Sequence, residues 1–273
     1  MHITIRYRFV CYNKTMNDKE TSDSSKVTTD PVFSAKLFTQ RRTAKKLIEE
    51  SRTDTDFLLF LSASVFITTL GLLMDNPIVI VGAMLVAPIL FPILALGLGV
   101  VTSSGDAIKR AGRILGKTLM IGVGVSFVTA FLINASNFTE QLKLLTDPDL
   151  FLFFFISFAA GIIASFSWVK EDTALSLPGV AITVSLVPPL AAIGVSLALL
   201  SKALLVGSVL LFLINLLGVV LASTVVFSLF GFSNIRAYQD KKIHEEEEAR
   251  EAAKLEKEKE AEPDPEDNPQ PDA

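Results

Sequence analysis

The sequence predicts an all-α, polytopic membrane protein of six transmembrane helices, arranged as two inverted three-helix repeats with proline-broken second and fifth helices. Three observations lead to this fold class. The charges are concentrated at the two ends of the chain, six long apolar runs lie between them, and two prolines recur at matching places in the second and fifth runs. The bulk composition, with 50% apolar and 20% charged residues, would also suit a soluble domain. The distribution of charged and apolar residues along the chain is therefore what identifies a membrane protein.

The charge distribution excludes a water-soluble globular enzyme. Residues 57–230 carry 14 of the 54 charged side chains, and the two flanks carry the other 40 in 99 residues. A soluble domain spreads its charges along the chain because its surface does so too. Cys11 is the only cysteine, so an intrachain disulfide and a thiolate metal cage are impossible. We expect no catalytic residue, cofactor, metal or nucleic-acid partner.

The N-terminal segment, residues 1–56, is predicted to be cytoplasmic and partly disordered. Within it, residues 31–51 can form a basic amphipathic helix. Its apolar side would carry Leu37, Ala44, Leu47 and Ile48, with Arg41, Arg42, Lys45 and Lys46 nearby. Such a helix suits the anionic surface of the inner leaflet, but the same charges also suit a flank that sets the topology.

A membrane domain is predicted over residues 57–231. A helix that crosses a bilayer needs about 20 apolar residues, because every backbone amide must be bonded within the helix. The chain supplies six such runs, in repeat one (57–133) and repeat two (150–230): Phe57–Met74, Pro77–Val101, Ile114–Ile133, Leu150–Val169, Leu175–Leu200 and Ala203–Phe230. The first and second runs are separated only by Asp75-Asn76, and the fifth and sixth only by Ser201-Lys202. Gaps this short predict tight hairpins.

The positions of lysine and arginine predict the orientation. If the N-terminus is inside, thirteen of these residues lie in inner segments near the spans, and only Lys143 and Lys202 lie in outer ones. Positive residues accumulate on the cytoplasmic side of membrane proteins. We therefore expect both termini in the cytoplasm and the chain in the cell membrane.

The second and fifth runs are related to each other. Residues 77–98 agree with residues 178–199 at seven of 22 positions, and the matches include Pro77 with Pro178 and Pro88 with Pro189. Each run is the middle span of a three-span unit. Because three is odd, consecutive units enter the bilayer in opposite directions, which is the inverted-repeat pattern of many secondary transporters.

The prolines within these runs predict a candidate site near the middle of the bilayer. Proline has no amide hydrogen and displaces the carbonyl four residues earlier, so it frees backbone groups that need polar partners in hydrocarbon. Two such breaks facing each other would make a polar spot, whereas the alternative is a pair of structural kinks. The candidate site residues are Gly82, Met84, Ala87, Pro88, Pro92, Thr183, Ser185, Pro188, Pro189 and Asn215.

Asn215 has two interpretations. It lies near the middle of the sixth run, where its amide must be bonded, so it either clamps two helices or lines a pathway. The clamp is the commoner role of such a residue. No aspartate or glutamate lies deep within any run, which disfavours proton coupling through carboxylates.

The C-terminal segment, residues 232–273, is predicted to be cytoplasmic. Lys241–Glu262 mixes glutamate and lysine at helical spacing and is predicted to form a solvated charged helix. Pro263–Ala273 is rich in proline and acids and is predicted to be disordered. This tail is a candidate surface for a cytosolic partner.

Two stretches of the chain resemble the signature segments of an uncharacterised hydrophobic family, domain of unknown function 389. Asn76–Pro88 reads NPIVIVGAMLVAP and Leu177–Leu190 reads LPGVAITVSLVPPL, followed by Ala95–Val100 and Phe212–Asn215 respectively. The resemblance covers approximately Phe57–Phe232. It implies a multi-pass protein of a bacterial or archaeal cytoplasmic membrane and no established substrate.

Taken together, these features lead us to expect a secondary transporter or facilitator that carries a small solute through a midplane site between the repeats. The exposed helix N-termini and the lack of buried acids favour an anionic or neutral solute. The alternative is a non-transporting membrane scaffold or regulatory protein that acts through its charged tail. The expected partners are the lipid bilayer and an unknown solute, and a homo-oligomer is left open.

Overall fold

The computed structural model describes residues 37–51, 54–133, 139–169 and 178–261. Within these ranges, side chains are described except for residues 37–39, 50, 178–185, 250 and 254–261. The described ranges contain ten α-helices, a 3₁₀ turn at Phe232–Ile235 and no strand, so the all-α prediction is confirmed. Residues 1–36 of the N-terminal segment predicted to be partly disordered, and the predicted disordered tail 263–273, lie outside them. The helices are α1 (Leu37–Glu50), α2 (Thr55–Leu73), α3 (Pro77–Met84), α4 (Leu90–Val101), α5 (Gly105–Leu132), α6 (Glu140–Leu144), α7 (Leu150–Val169), α8 (Pro178–Ala198), α9 (Lys202–Leu229) and α10 (Arg236–Ala261).

Four helices in the described ranges, α2, α5, α7 and α9, are long and apolar enough to cross a membrane. They contain 19, 28, 20 and 28 residues respectively. At about 1.5 Å per residue, each is about 28 Å or longer, which is close to the thickness of a bilayer's apolar core. These helices are consistent with a membrane protein. The other two predicted spans correspond to α3 with α4, and to α8.

Helices α2 and α3 form a tight hairpin at the predicted place. Asp75 adopts a left-handed backbone conformation with φ of 55°. Asn76 then caps α3, and its side chain accepts a hydrogen bond from the amide of Ile78 at 3.1 Å. A Cβ atom on Gly71 would lie 2.7 Å from Cγ1 of Ile80, so the absence of a side chain lets the two helices approach closely.

The second predicted span is interrupted in its middle. Helix α3 ends at Met84 and α4 begins at Leu90, which leaves a non-helical turn at residues 85–89. Pro88 lies in this turn, and Pro92 lies in the first turn of α4, where a missing amide hydrogen costs no helical bond. This segment therefore has the proline break that the sequence predicts.

The fifth predicted span is not broken, so this part of the predicted fold class is wrong. Helix α8 continues without interruption through Pro188 and Pro189. Packing explains the continuity, because every residue from Leu186 to Ser196 except Pro188 is buried. A Cβ atom on Gly194 would lie only 2.6 Å from the carbonyl oxygen of Val123 in α5. Contacts this close hold the helical path where the prolines alone would weaken it.

Helix α8 lies at the centre of the bundle. It packs against α2, α3, α5, α7 and α9, and it also touches α4. Its side chains Leu186, Val187 and Leu190 are fully buried and belong to one apolar core that also contains Met84 and Ile89. The core therefore joins the interrupted segment to the proline-containing helix.

Helix α1 covers most of the predicted amphipathic stretch, but its apolar side packs on the protein. Ala44 and Leu47 are fully buried, and α1 contacts α4, α7 and α10. Arg41, Arg42 and Lys45 lie on the exposed side. An amphipathic helix binds a membrane surface by inserting its apolar side into the lipid. Because that side of α1 is already buried, only its basic side is available to lipid headgroups.

Helix α10 begins at Arg236, earlier than the predicted Lys241, and its first turns are docked on the bundle. Gln239 and Ile243 are buried there. The hydroxyl of Thr102, at the end of α4, donates a hydrogen bond to the side-chain oxygen of Gln239 at 2.6 Å. The first turns of α10 are therefore not solvated as the sequence predicts. The charge pattern of the segment does not reveal that Ile243 and Gln239 are buried against the bundle.

Candidate functional site

Ser64 of α2 stabilises the end of α3 at the break. Its hydroxyl donates a hydrogen bond of 2.7 Å to the carbonyl oxygen of Ala83, although the two residues belong to different helices. The amide of Val86 contacts the same carbonyl at 3.2 Å, and the amide of Ala87 contacts that of Met84 at 3.3 Å. The last carbonyls of a helix have no partner within it, so these bonds satisfy groups that the proline break frees.

Hydroxyl groups also connect α2, α5 and α8. The hydroxyl of Thr69 in α2 lies 2.9 Å from the hydroxyl of Ser126 in α5 and 2.7 Å from the carbonyl oxygen of Val65 in its own helix. Ser126 in turn donates a hydrogen bond of 2.5 Å to the carbonyl oxygen of Ala191 in α8. All three residues are buried. A polar chain therefore crosses the apolar core just beyond Pro188 and Pro189.

Thr68 is the most informative residue of this region. Its side chain is fully buried, and its hydroxyl oxygen has no hydrogen-bond partner among the described residues. It follows Ser64 by four residues, which places the two side chains on the same side of α2. Leaving a buried hydroxyl unpaired costs about 1–3 kcal/mol, so a polar partner for Thr68 would stabilise this part of the protein.

The structure gives the predicted residues of the first repeat different environments. Met84 and Ala87 are buried on the inner side of the break. Pro92 is buried, Pro88 is half-buried and Gly82 is exposed. A Cβ atom on Gly82 would meet nothing within 4 Å, so this residue lies on the outer side of α3. The predicted residues of this repeat therefore do not form one surface, because they lie on two opposite sides of the interrupted segment.

The predicted residues of the second repeat are only partly described. Pro188 is half-buried and Pro189 is buried within α8, which packs on α3 and touches α4. The side chains of Thr183 and Ser185 lie outside the described residues. The structure thus brings the helix that carries Pro188 and Pro189 against both halves of the interrupted segment.

Asn215 lies away from this region, between α7 and α9. Its side-chain oxygen accepts a hydrogen bond of 2.8 Å from the hydroxyl of Ser157, and Asn215 is fully buried. Small residues surround the pair: a Cβ atom on Gly218 would lie 3.0 Å from Cβ of Ser157, and one on Gly161 would lie 2.7 Å from Cβ of Ala222. This arrangement is the helix–helix clamp, one of the two interpretations of Asn215.

Two cavities lie at other places. An apolar groove of about 550 Å³ lies between α2 and α5 and is lined by residues that include Phe66, Val128 and Leu132. A small pocket among α1, α4, α5 and α10 is lined in part by Arg110 and Gln239. Neither is lined by the prolines of the break or of α8.

Charged groups with clearly shifted pKa values lie outside the long apolar helices. A hydrogen bond that the ammonium of Lys143 in α6 donates to the carboxylate of Glu140 raises the pKa of Lys143. A hydrogen bond from Lys242 lowers the pKa of Glu245 in α10. Within the described ranges, no three His, Cys, Asp or Glu side chains are close enough to hold a metal ion. The polar groups around the break are therefore hydroxyls and backbone groups.

The hydroxyls of α2 and α5 are not among the site residues that the sequence predicts. Ser64, Thr68, Thr69 and Ser126 are ordinary residues in apolar runs, and helix-borne hydroxyls often bond within their own helix. The sequence does show that Ser64 and Thr68 are four residues apart, which places two hydroxyls on one side of a predicted helix. Their contact with the break depends on the α2–α3 hairpin, and only the structure supplies it.

Comparison with known proteins gives a family and one distant relative. The family model described as Domain of unknown function (DUF389) matches residues 84–221. An uncharacterized protein of Methanocaldococcus jannaschii is 26% identical over 185 residues, which cover 68% of this chain and 57% of the relative. The chain therefore spans little more than half the length of this relative. No solved structure matches the chain.

Proposed function

We propose that this chain, which belongs to the DUF389 family, is a membrane transport protein, a secondary transporter or facilitator for a small solute. In this proposal six spans form two inverted repeats in the cell membrane, with both termini in the cytoplasm. The interrupted α3–α4 segment crosses the membrane as one span, and α8 crosses as the fifth.

The observation that carries the proposal is the unpaired, buried hydroxyl of Thr68, on the same side of α2 as Ser64. Ser64, one turn away on the same helix, is already bonded to the carbonyl of Ala83 at the break. The first turn of α4 has no side-chain cap, so its amides leave a partial positive charge near the break. A free hydroxyl and a helix N-terminus in an apolar surrounding are the groups that broken-helix transporters use to bind solutes.

The proposed number of spans is supported by contacts between the two flanks of the membrane domain. The guanidinium of Arg41 in α1 lies 5.3 Å from the ring centre of Tyr238 in α10. The side-chain amide of Gln40 donates a hydrogen bond of 3.0 Å to the carbonyl of Phe230. Flanks that touch lie on the same side of a membrane, which requires an even number of crossings. The distribution of lysine and arginine then favours the cytoplasmic side.

The chemistry around Thr68 favours a small neutral or anionic solute. The described groups at the break are hydroxyls, carbonyls and the amide end of α4, and none of them is charged. A cation would lack a carboxylate partner here, and a bare charge in an apolar surrounding is costly.

Solute flux in proteoliposomes tests the proposal. Glycerol and nitrate serve as the neutral and the anionic probe, and stopped-flow light scattering reports their entry. We expect wild-type vesicles to admit at least one probe faster than protein-free vesicles do. Thr68→Val keeps the shape of the side chain and removes the hydroxyl, so we expect that rate to fall about fivefold, the effect of one lost hydrogen bond of ~1 kcal/mol.

Thr118→Val is the matched control. Thr118 is also buried in a long helix, but its hydroxyl donates to the carbonyl of Ile114 in its own helix at 2.9 Å. We expect this variant to transport at the wild-type rate. Equal rates for Thr68→Val and the wild type would remove Thr68 from the pathway. An absence of protein-dependent flux for both probes would count against the transport proposal itself.

A scaffold role is the second candidate, and a deletion within α10 tests it. The first turns of α10 are docked, whereas Glu251, Ala252 and Ala253 are exposed. Deleting residues 251–273 removes the chain from the exposed Glu251 onward and keeps the docked turns, which include Glu246, the ion-pair partner of Arg110 at 2.8 Å. Unchanged flux after this deletion favours transport, and a lost cellular phenotype with normal membrane insertion favours the scaffold.

A further inference from the structure

The first turns of α10 hold the turn that joins α4 to α5. The hydroxyl of Thr102, the C-cap of α4, donates a hydrogen bond of 2.6 Å to the side-chain oxygen of Gln239. The hydroxyl of Ser104, the N-cap of α5, donates one to the carboxylate of Asp240. Between these two caps, Ser103 has a left-handed backbone conformation with φ of 51°. Two consecutive residues of α10 therefore bond both sides of one helix–helix turn.

The turn between α8 and α9 has the same geometry but a different surrounding. Leu200 is left-handed like Ser103, with φ of 53°. The side chain of Ser201, like that of Ser104, accepts a hydrogen bond from the amide three residues later. Thr102 and Ser104 are buried, whereas Ser201 is half-buried and Leu200 is 89% exposed. In the proposed arrangement of repeats these two turns are equivalent and lie on opposite sides of the membrane, and α10 holds the one on its own side.

Helix α10 is fixed at its root by the apolar core and beyond its root mainly by polar contacts. Gly231, with φ of 76°, joins α9 to the 3₁₀ turn, where Phe232 is fully buried in the main core. Ile243 of α10 belongs to a small separate cluster between α1 and α5. An ion pair of 2.8 Å between Arg110 and Glu246 also links α10 to α5. Segments with few buried apolar contacts open locally without global unfolding, so α10 is suited to leave the bundle while its root stays in place.

The turn held by α10 is also the far end of the interrupted segment. Helix α4 has 12 residues, from Leu90 beside the break to Val101 next to Thr102. A helix this short moves as one body, so a constraint at Thr102 also limits its motion at the break. Residues 85–89 are non-helical and can absorb a change in φ and ψ, as hinge residues do. With α10 docked, α4 is held at the end away from this hinge.

We propose that α10 is a releasable clasp on the α4–α5 turn, made by Gln239 and Asp240. While it is docked, it holds the cytoplasmic end of α4 and keeps the solute pathway closed on that side. When it is released, α4 moves about residues 85–89. Transporters built from inverted repeats work by the movement of one repeat against the other, and a clasp on one side favours one of the two states. The closing role rests on the proposed transport function, whereas the clasp itself has a test that needs no transport.

Hydrogen exchange measured by mass spectrometry in detergent micelles tests the clasp without any solute. Gln239→Ala with Asp240→Ala removes both contacts, and we expect the amides of residues 99–105 to exchange at least about tenfold faster than in the wild type. Lys241→Ala with Lys242→Ala is the matched control, since it changes the next two residues of the same helix, whose ion pairs lie within α10. Equal exchange of the turn in the two double variants would overturn the proposal. Faster exchange in α7 and α9 as well would make α10 part of the permanent fold and would also overturn it.

A disulfide tests the closing role. Cys11→Ser removes the only cysteine, and Ser104→Cys with Asp240→Cys then places two thiols where side chains are already in contact. Copper phenanthroline forms this disulfide and dithiothreitol breaks it. We expect oxidised proteoliposomes to admit glycerol or nitrate at least about tenfold more slowly than the same vesicles after reduction. Equal rates before and after reduction, with the disulfide verified by mass, would overturn the closing role. If the wild type admits neither probe, the transport proposal fails, and the hydrogen exchange of residues 99–105 decides the clasp by itself.

Discussion

Replacing Gly194 with alanine tests whether α8 is held in place by its contact with α5. A Cβ atom at this position would lie 2.6 Å from Cβ of Ser126, 2.6 Å from the carbonyl oxygen of Val123 and 2.7 Å from the amide nitrogen of Phe127. Ordinary contacts between non-bonded heavy atoms are about 3.5–4.0 Å. Because two of the three atoms belong to the backbone, no rotamer change relieves the clash, and the helices must separate by about 1 Å.

The expected loss of stability is the sum of three effects. Overpacking costs about 1–3 kcal/mol. Separation of the helices weakens the hydrogen bond from Ser126 to the carbonyl of Ala191, at a cost of up to about 1 kcal/mol. Alanine is a better helix former than glycine by about 1 kcal/mol, which offsets part of the loss. We therefore expect Gly194→Ala to lower the free energy of unfolding by about 2 kcal/mol.

The assay is unfolding by sodium dodecyl sulfate in mixed micelles, followed by tryptophan fluorescence. Trp168 is the only tryptophan, and its ring centre lies 5.4 Å from that of Phe91, so its emission reports the packing of α7 on α4. Gly124→Ala is the control. A Cβ atom on Gly124 would meet nothing within 4 Å, so we expect no loss, or a gain of up to about 1 kcal/mol. Equal stabilities of the two alanine variants would refute the packing argument.

Three further outcomes are expected. Arg110 and Glu246 form an ion pair of 2.8 Å with side chains only 14% exposed, so Arg110→Met is expected to destabilise the protein by about 2 kcal/mol and to speed hydrogen exchange in α10. Exchange unchanged from the wild type would show that the pair does not hold α10. Asn215→Leu removes the clamp and is expected to cost about 1 kcal/mol in the same unfolding assay, and an equally stable variant would contradict this. The pKa of Glu245 is depressed by its hydrogen bond from Lys242, so this contact stabilises the fold above the ordinary pKa of a glutamate and is lost as the pH falls through the folded-state pKa. Lys242→Met is expected to return the pKa of Glu245 toward its ordinary value in an NMR titration, and no change would exclude Lys242 as the cause.

Apolar runs and turn residues made several parts of the fold predictable. Helix α7 has the predicted bounds Leu150–Val169, because its run is continuous and flanked by charge. The hairpin at Asp75-Asn76 follows from a two-residue gap between runs. The interruption near Pro88 follows from the chemistry of proline, which acts on its own backbone and needs no knowledge of neighbours.

Helix α8 shows that the local effect of proline does not decide whether a helix breaks. Pro188 and Pro189 have the same chemistry as Pro88, yet α8 continues through them because Gly194 and Leu190 pack tightly on α5. The candidate site likewise depends on contacts between helices. Its prolines are visible in the sequence, but the role of Thr68 depends on which groups surround it in the folded chain.

The sequence by itself determined that the chain is read as a membrane protein, where its long apolar helices lie and where the second run is broken. Each follows from properties of contiguous residues: the length of an apolar run, its flanking charges and a missing amide hydrogen. Only the tertiary structure decided that α8 is continuous, that α1 and α10 dock on the bundle, and that the two sides of the break differ. These features depend on distances between residues far apart in the chain, because packing against a neighbour can outweigh the local preference of a segment.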